Sequence, residues 1–178
     1  MKNLVNSLRL RDSLDNLMPN VEGQAECREL VADFQRIFDT PNDADLWISL
    51  IKEETIEYGE EVRVFGFSDN SLKEYCDVIY VLCGAINIVP LYTEVPKAQL
   101  VHDLCDDMDA MADEFLSKFT TQQVIDGFRR VHLANLSKLT KEGEVLRRED
   151  GKVMKSDKYK PADMSGIINE FDINTLEL

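Results

Sequence analysis

The sequence predicts an all-α protein: a helical bundle of about five helices with a short C-terminal β-hairpin or loop, assembled as an oligomer. Gly and Pro are scarce, 8 and 5 among 178 residues, while Leu, Glu, Asp, Lys and Ala dominate. Apolar residues recur at helical spacing in several segments. A hydrophobic share of 44% suffices for one core in one domain.

Residues 1–20 are polar and partly helical, and are read as an N-terminal extension that Pro19 and Asn20 break off. The domain spans 21–168. Residues 21–38 form an amphipathic helix with Cys27, Leu30, Val31, Phe34, Ile37 and Phe38 on its apolar side. The segment 39–45, DTPNDAD, is a turn plus N-cap. A helical hairpin then runs to about Pro90. Its first helix carries the stripe Leu46, Trp47, Leu50 and Ile51. Its turn is VFGFSDN at 64–70, with Gly66 a stop and 68–71 a start. In its second helix, 78–89 (VIYVLCGAINIV) is apolar almost all round, as in a helix buried on every side.

Residues 91–96 are a break. Residues 97–119 form a further helix with Leu100, Leu104, Met108, Met111 and Phe115 inward. Its acids, Asp103, Asp106, Asp107, Asp109, Asp113 and Glu114, read as a solvated face. Thr120 starts another helix, with Val124, Phe128, Val131 and Leu136 inward. In the non-helical stretch 141–163, Asp150-Gly151 is a hairpin turn signal between VLRRE and KVMKS. A tail follows over 169–178. One hairpin and two flanking helices leave apolar faces over around 78–89. A homo-oligomer, first a homodimer, with the site near the subunit interface, is therefore expected.

Net charge is −14, which argues against nucleic acid as the main partner. Residues 129–160 nevertheless hold ten Lys and Arg against five acids, so +5 there and −19 elsewhere. A basic stretch beside an acidic body suits a polyanionic ligand held through metal. Cys27, Cys76, Cys83 and Cys105 show no CxxC pairing and read as reduced core residues. With no signal peptide apparent and apolar runs of about a dozen residues, too short for a bilayer, the expectation is a cytoplasmic protein away from membranes.

Five acids carry the chemistry: Glu53, Glu54 and Glu57 before the turn, Glu74 and Asp77 after it. Residues three and four apart share a helix face, so Glu57 stacks with Glu53 and Glu54, and Glu74 with Asp77. Glu57 lies about 12 Å before the first helix ends and Glu74 about 7 Å into the second, so the two groups face each other. The apolar stripe of the first helix continues into Glu54, Glu57 and Tyr58. Carboxylates aimed at a core each cost several kcal/mol unless paired or neutralised, roughly. Lys52 and Arg63 project elsewhere, and Lys73 precedes the cluster on another face. The simplest neutraliser is a divalent cation, and all-oxygen ligation suits Mg²⁺ or Mn²⁺. The plainer alternatives are a solvated acidic face and a capping box joining Ser71 to Glu74.

The pattern Glu53-Glu54-x-x-Glu57, sixteen residues, Glu74-x-x-Asp77 resembles the EExxE…ExxD signature of the all-α nucleoside triphosphate pyrophosphohydrolases, a superfamily that includes MazG, dimeric dUTPases and phosphoribosyl-ATP pyrophosphohydrolases. VHLANLSK at 131–138, RREDGK at 147–152 and YKPAD at 159–163 resemble the C-terminal segment of MazG-like proteins related to dimeric dUTPases. The likeness spans roughly 28–168. Residues 92–119 depart from it and look like an insertion. It implies Mg²⁺-dependent hydrolysis of a nucleoside triphosphate, dUTP or a non-standard dNTP in a house-cleaning role, to the monophosphate and pyrophosphate. It implies Glu54, Glu57, Glu74 and Asp77 as metal ligands and Glu53 as the base that activates water or the ligand of a further ion. Lys138, Arg147 and Lys155 become candidate phosphate contacts and Asn135 a substrate hydrogen bonder. Gln35 and Phe34 become candidate base contacts. Two other readings stand beside it: a phosphoribosyl-ATP pyrophosphohydrolase-like enzyme, and a non-catalytic helical module whose acids bind a basic partner. With only His102 and His132 present, no Glu-x-x-His motif exists, which counts against a ferritin-like di-iron site.

Overall fold

A computed structural model describes residues 7–89 and 97–168. Among them run six helices: α1 (Leu8–Leu17), α2 (Val21–Ile37), α3 (Ala44–Phe65), α4 (Asp69–Ile88), α5 (Ala98–Leu116) and α6 (Thr121–Leu136). The all-α expectation holds, with one helix more than expected. The β-hairpin does not form as two strands: a single antiparallel bridge, Arg147↔Val153, is all the pairing there among the described residues. The turn itself is present, with Gly151 at φ 94° and Gly151 N–H donating to Arg148 O at 2.9 Å.

Helix α4 is the axis of the bundle. Its apolar run has no polar side to give to water, so α1, α2, α3 and α6 all pack on it. Tyr75, Val78, Ile79, Leu82 and Cys83 are fully buried there. Its start is fixed by a reciprocal cap. Ser71 N–H donates to Ser68 Oγ at 3.3 Å and Ser68 N–H donates to Ser71 Oγ at 2.7 Å. Ser71 therefore closes the capping box with Ser68, and Glu74 plays no part in it. That removes the capping alternative for Glu74.

The largest helix interface joins α3 to α4. Asp43 caps α3, accepting from the amides of Asp45 and Leu46, and Gly66, at φ 72°, ends it. The two helices approach closely because Trp47 lies over Gly84, where a Cβ would meet the indole Cζ3 at 2.0 Å. This antiparallel pair is the expected hairpin, and it sets the two acid groups opposite each other.

The N-terminal stretch is more than an extension. Leu10, Leu14, Leu17 and Met18 are buried, and Tyr75 Oη donates to Leu17 O at 2.9 Å. Arg9 pairs with Asp106 at 2.7 Å and Asp109 at 2.6 Å, fastening α1 to α5. Two acids expected on a solvated face are thus used in packing. Phe115 of α5 stacks on Tyr75 with ring centroids 3.9 Å apart. The break at 91–96 lies outside the described residues, as does the tail 169–178.

The apolar surplus expected to drive oligomerisation is covered within the chain: Val78 to Ile86 are all buried. Helices α1, α2, α3 and α6 together supply the cover. All four cysteines are free and buried, and burial pushes the thiols up, Cys27 to about 12 and Cys105 to about 11, which keeps them protonated. Among the described residues no helix is long and apolar enough to cross a membrane.

Candidate metal and polyanion site

Glu53, Glu54 and Glu57 project from α3 towards Glu74 and Asp77 on α4. Glu54, Glu57 and Glu74 each present a carboxylate oxygen, and the three oxygens lie within 4.8 Å of one another. Asp77 sits one turn beyond Glu74, joined to it by Lys73, whose Nζ donates to Glu74 Oε1 at 2.8 Å and Asp77 Oδ2 at 2.9 Å. The expectation that Lys73 points elsewhere is corrected: Lys73 and Asp77 are four apart and share a face. A second ammonium comes from the turn after α6. Lys152 Nζ lies 3.0 Å from Glu53 Oε1 and 3.5 Å from Glu54 Oε1. Arg148 reaches Glu53 at 3.5 Å but is held closer by Asp150, at 2.6 Å.

Charge remains unbalanced. Five carboxylates meet two ammonium groups, Lys73 and Lys152, and one guanidinium that Asp150 also holds, so carboxylates are in excess. Burial pushes the Glu54 carboxyl up to about 7, with the charges of Asp77, Glu57 and Glu74 adding to it and Lys152 opposing. Burial raises Glu74 too, against the pull of Lys73. Burial alone would raise Glu53, but Lys152 and Arg148 outweigh it and hold that carboxyl below its usual range. Burial lowers Lys73, and Asp77 and Glu74 more than reverse this, holding it charged.

The donor set fits a hard divalent cation. It is all oxygen, it carries excess negative charge, and Glu74 Oε2 is buried with no hydrogen-bond partner among the described residues. Glu54, Glu57 and Glu74 would hold the ion, with Asp77 one turn on and bound to Lys73.

Two spaces open on the acids. A charged cleft of about 360 Å³ is lined by Glu53, Glu54, Glu57, Lys73 and Asp77 on one side and Asn135, Lys138, Arg148, Lys152, Lys155 and Tyr159 on the other. A narrower apolar pocket of about 70 Å³ continues inward between Phe34, Leu46, Trp47, Leu50, Tyr80 and Val81. Glu54, Asp77, Asn135, Lys138 and Lys152 border both. Lys138 has no carboxylate within ion-pair distance among the described residues, and burial lowers its affinity for a proton, partly restored by Asp77 and Glu54. Such an ammonium is a donor with no internal acceptor. Lys155 lies on the cleft rim, with Nζ 4.8 Å over the Tyr159 ring. Tyr80 Oη is 3.1 Å from His132 Nδ1, so the lone buried histidine serves to fix a pocket wall.

Two expected site residues are not brought there. Arg147 points back to α2, donating to Phe38 O and, at 2.8 Å, to Asp39 O. It fastens the turn, and its neighbour Arg148 faces the acids instead. Gln35 donates to Gly84 O at 3.0 Å and accepts from Asn87 at 3.2 Å, so its amide joins α2 to α4. Phe34, one residue earlier, does line the apolar pocket. Sequence reasoning missed Lys73, Lys152, Arg148, Tyr159, Trp47 and Tyr80 as site residues. Only Lys73 had a local signal, the four-residue spacing to Asp77; the others arrive through tertiary packing. Comparison of the chain with protein-family models, with curated proteins and with solved structures finds no match.

Proposed function

We propose that this protein is a divalent-metal-dependent hydrolase of a nucleoside triphosphate, most simply a dNTP such as dUTP or a non-standard base analogue, giving the monophosphate and pyrophosphate. The observation that carries the reading is the convergence of three carboxylate oxygens from two helices within 4.8 Å, opposite a bank of lysines and open to an aromatic pocket. The resemblance of the acid pattern to the all-α nucleoside triphosphate pyrophosphohydrolases supports it, and so does the chemistry of the donor set.

When bound, Mg²⁺ or Mn²⁺ supplies charge neutralisation for the phosphates and a lowered pKa for an attacking water. The residues of the chain do the rest. Glu54, Glu57, Glu74 and Asp77 fix where positive charge accumulates. Glu53, kept ionised by its cationic neighbours, is the carboxylate positioned to accept the proton of the water. Water adds to the α-phosphorus, the bond to the α–β bridging oxygen breaks, and pyrophosphate leaves with the electron pair. Lys138 and Lys155 face the departing phosphates across the cleft. Phe34, Trp47 and Tyr80 offer an apolar slot for the base, with Asn135 at its polar edge.

The test is pyrophosphate release by the purified chain from a panel of common and damaged dNTPs with Mg²⁺ or Mn²⁺. Release that disappears in EDTA and in Glu57→Gln is expected. No release from any triphosphate would remove the enzymatic reading. The homodimer stays a separate proposal, since the apolar run first adduced for it is buried inside one chain; sedimentation equilibrium reads it directly.

A further inference from the structure

The geometry points to Lys73 and Lys152 as resident counter-cations that an arriving divalent ion displaces, so that metal loading frees two ammonium groups for a polyanion. This rests on the metal reading above and adds an order of events to it. Each ammonium lies between two carboxylates of the cluster. Lys73 spans Glu74 and Asp77 at 2.8 and 2.9 Å, and Lys152 spans Glu53 and Glu54 at 3.0 and 3.5 Å. A dication held by Glu54, Glu57 and Glu74 would draw on a carboxylate that each ammonium now uses, Glu74 from Lys73 and Glu54 from Lys152. Positive charges that close repel one another, so the ammonium groups must leave.

Both lysines have somewhere to go. Lys73 needs only side-chain rotation to turn its Nζ into the charged cleft that it already lines. Lys152 rides on the turn 147–153, outside the helices, and its side chain can release the acids by rotation while Arg147 keeps the turn fastened to Phe38 and Asp39. The opposite wall already holds Lys138 and Lys155, neither with a carboxylate partner among the described residues. Metal therefore converts a cleft with two lysines clear of carboxylates into a cleft with four, and the polyanion follows the metal.

Titration calorimetry with Mn²⁺ alone, on the full chain freed of metal, compares wild type with Lys73→Met and Lys152→Met. Lys73→Gln replaces Lys73→Met if the latter does not fold. Removing a competing cation makes Mn²⁺ bind about fivefold more tightly in each variant, the order of one exposed ion pair. In excess Mn²⁺, inorganic tripolyphosphate then binds each variant about fivefold more weakly than wild type, because a freed donor is gone. Wild type that binds Mn²⁺ while the variants bind it no more tightly overturns the exchange and leaves the metal site standing. Tighter Mn²⁺ with unchanged tripolyphosphate affinity also overturns it. Wild type that takes up no Mn²⁺ overturns the site reading and the exchange with it.

Discussion

Replacing Glu54 by Gln should make the metal-free protein more stable at alkaline pH. Glu54 is 14% exposed and stands among three other carboxylates, which raises its carboxyl to about 7. In the unfolded chain the same group ionises near about 4.3. A carboxyl raised on folding adds stability below its unfolded pKa, and that stability is lost as pH rises through the folded value. The difference of roughly 2.7 units corresponds to about 4 kcal/mol. For a domain of this size that is on the order of 10 °C in Tm. Gln keeps the shape and removes the charge, so the penalty at high pH disappears. Thermal melts in EDTA from pH 4 to pH 8 should show the E54Q variant level with wild type at the acid end and several degrees above it at the alkaline end. Saturating Mn²⁺ should reverse the order, because only wild type keeps the full ligand set. A Tm difference that stays constant across the pH range would refute the claim that Glu54 is held among uncompensated charges.

Gly84→Ala should destabilise the fold by about 1–3 kcal/mol or more, because the new methyl has no room beside Trp47; urea melts measure this. Leu14→Ala should cost about 2–5 kcal/mol by the same assay, which marks α1 as part of the core; a neutral result would return it to the status of an extension. Arg147→Ala should loosen the turn after α6, seen as faster amide exchange over 146–154; exchange unchanged from wild type would show that Arg147 does not fasten it.

The helical hairpin was legible because its signals are local. A stop glycine, a serine-rich start and two acid sets at three- and four-residue spacing place α3, α4 and the acids without tertiary information. Five of the expected site residues sit where the chain order of that hairpin puts them, and Lys138, Asn135 and Lys155 reach the same cleft. What was not legible depends on packing. Arg147 and Arg148 are adjacent and equally basic, and only the twist of one tight turn sends one to a carbonyl pair and the other to Glu53. Gln35 and Phe34 differ by one helical step, about 100°, and only α4 decides which faces the pocket. The first helix was expected as part of a partly helical extension, and its place in the core was not legible because only three leucines carry its core contacts among polar residues. The stretch 141–163 takes the loop alternative, with one bridge: Leu146 and Met154 stand opposite one another in that register but both stay exposed, so the pair packs on nothing that would extend the ladder.

The most direct test is crystallographic: crystals grown with Mn²⁺, with data collected for its anomalous signal. A peak bonded to oxygens of Glu54, Glu57, Glu74 or Asp77, with the Lys73 and Lys152 ammonium groups turned away from them, is the outcome expected. Anomalous density absent from the space between α3 and α4, or found only on the acids of α5, would show that these carboxylates do not form a metal centre.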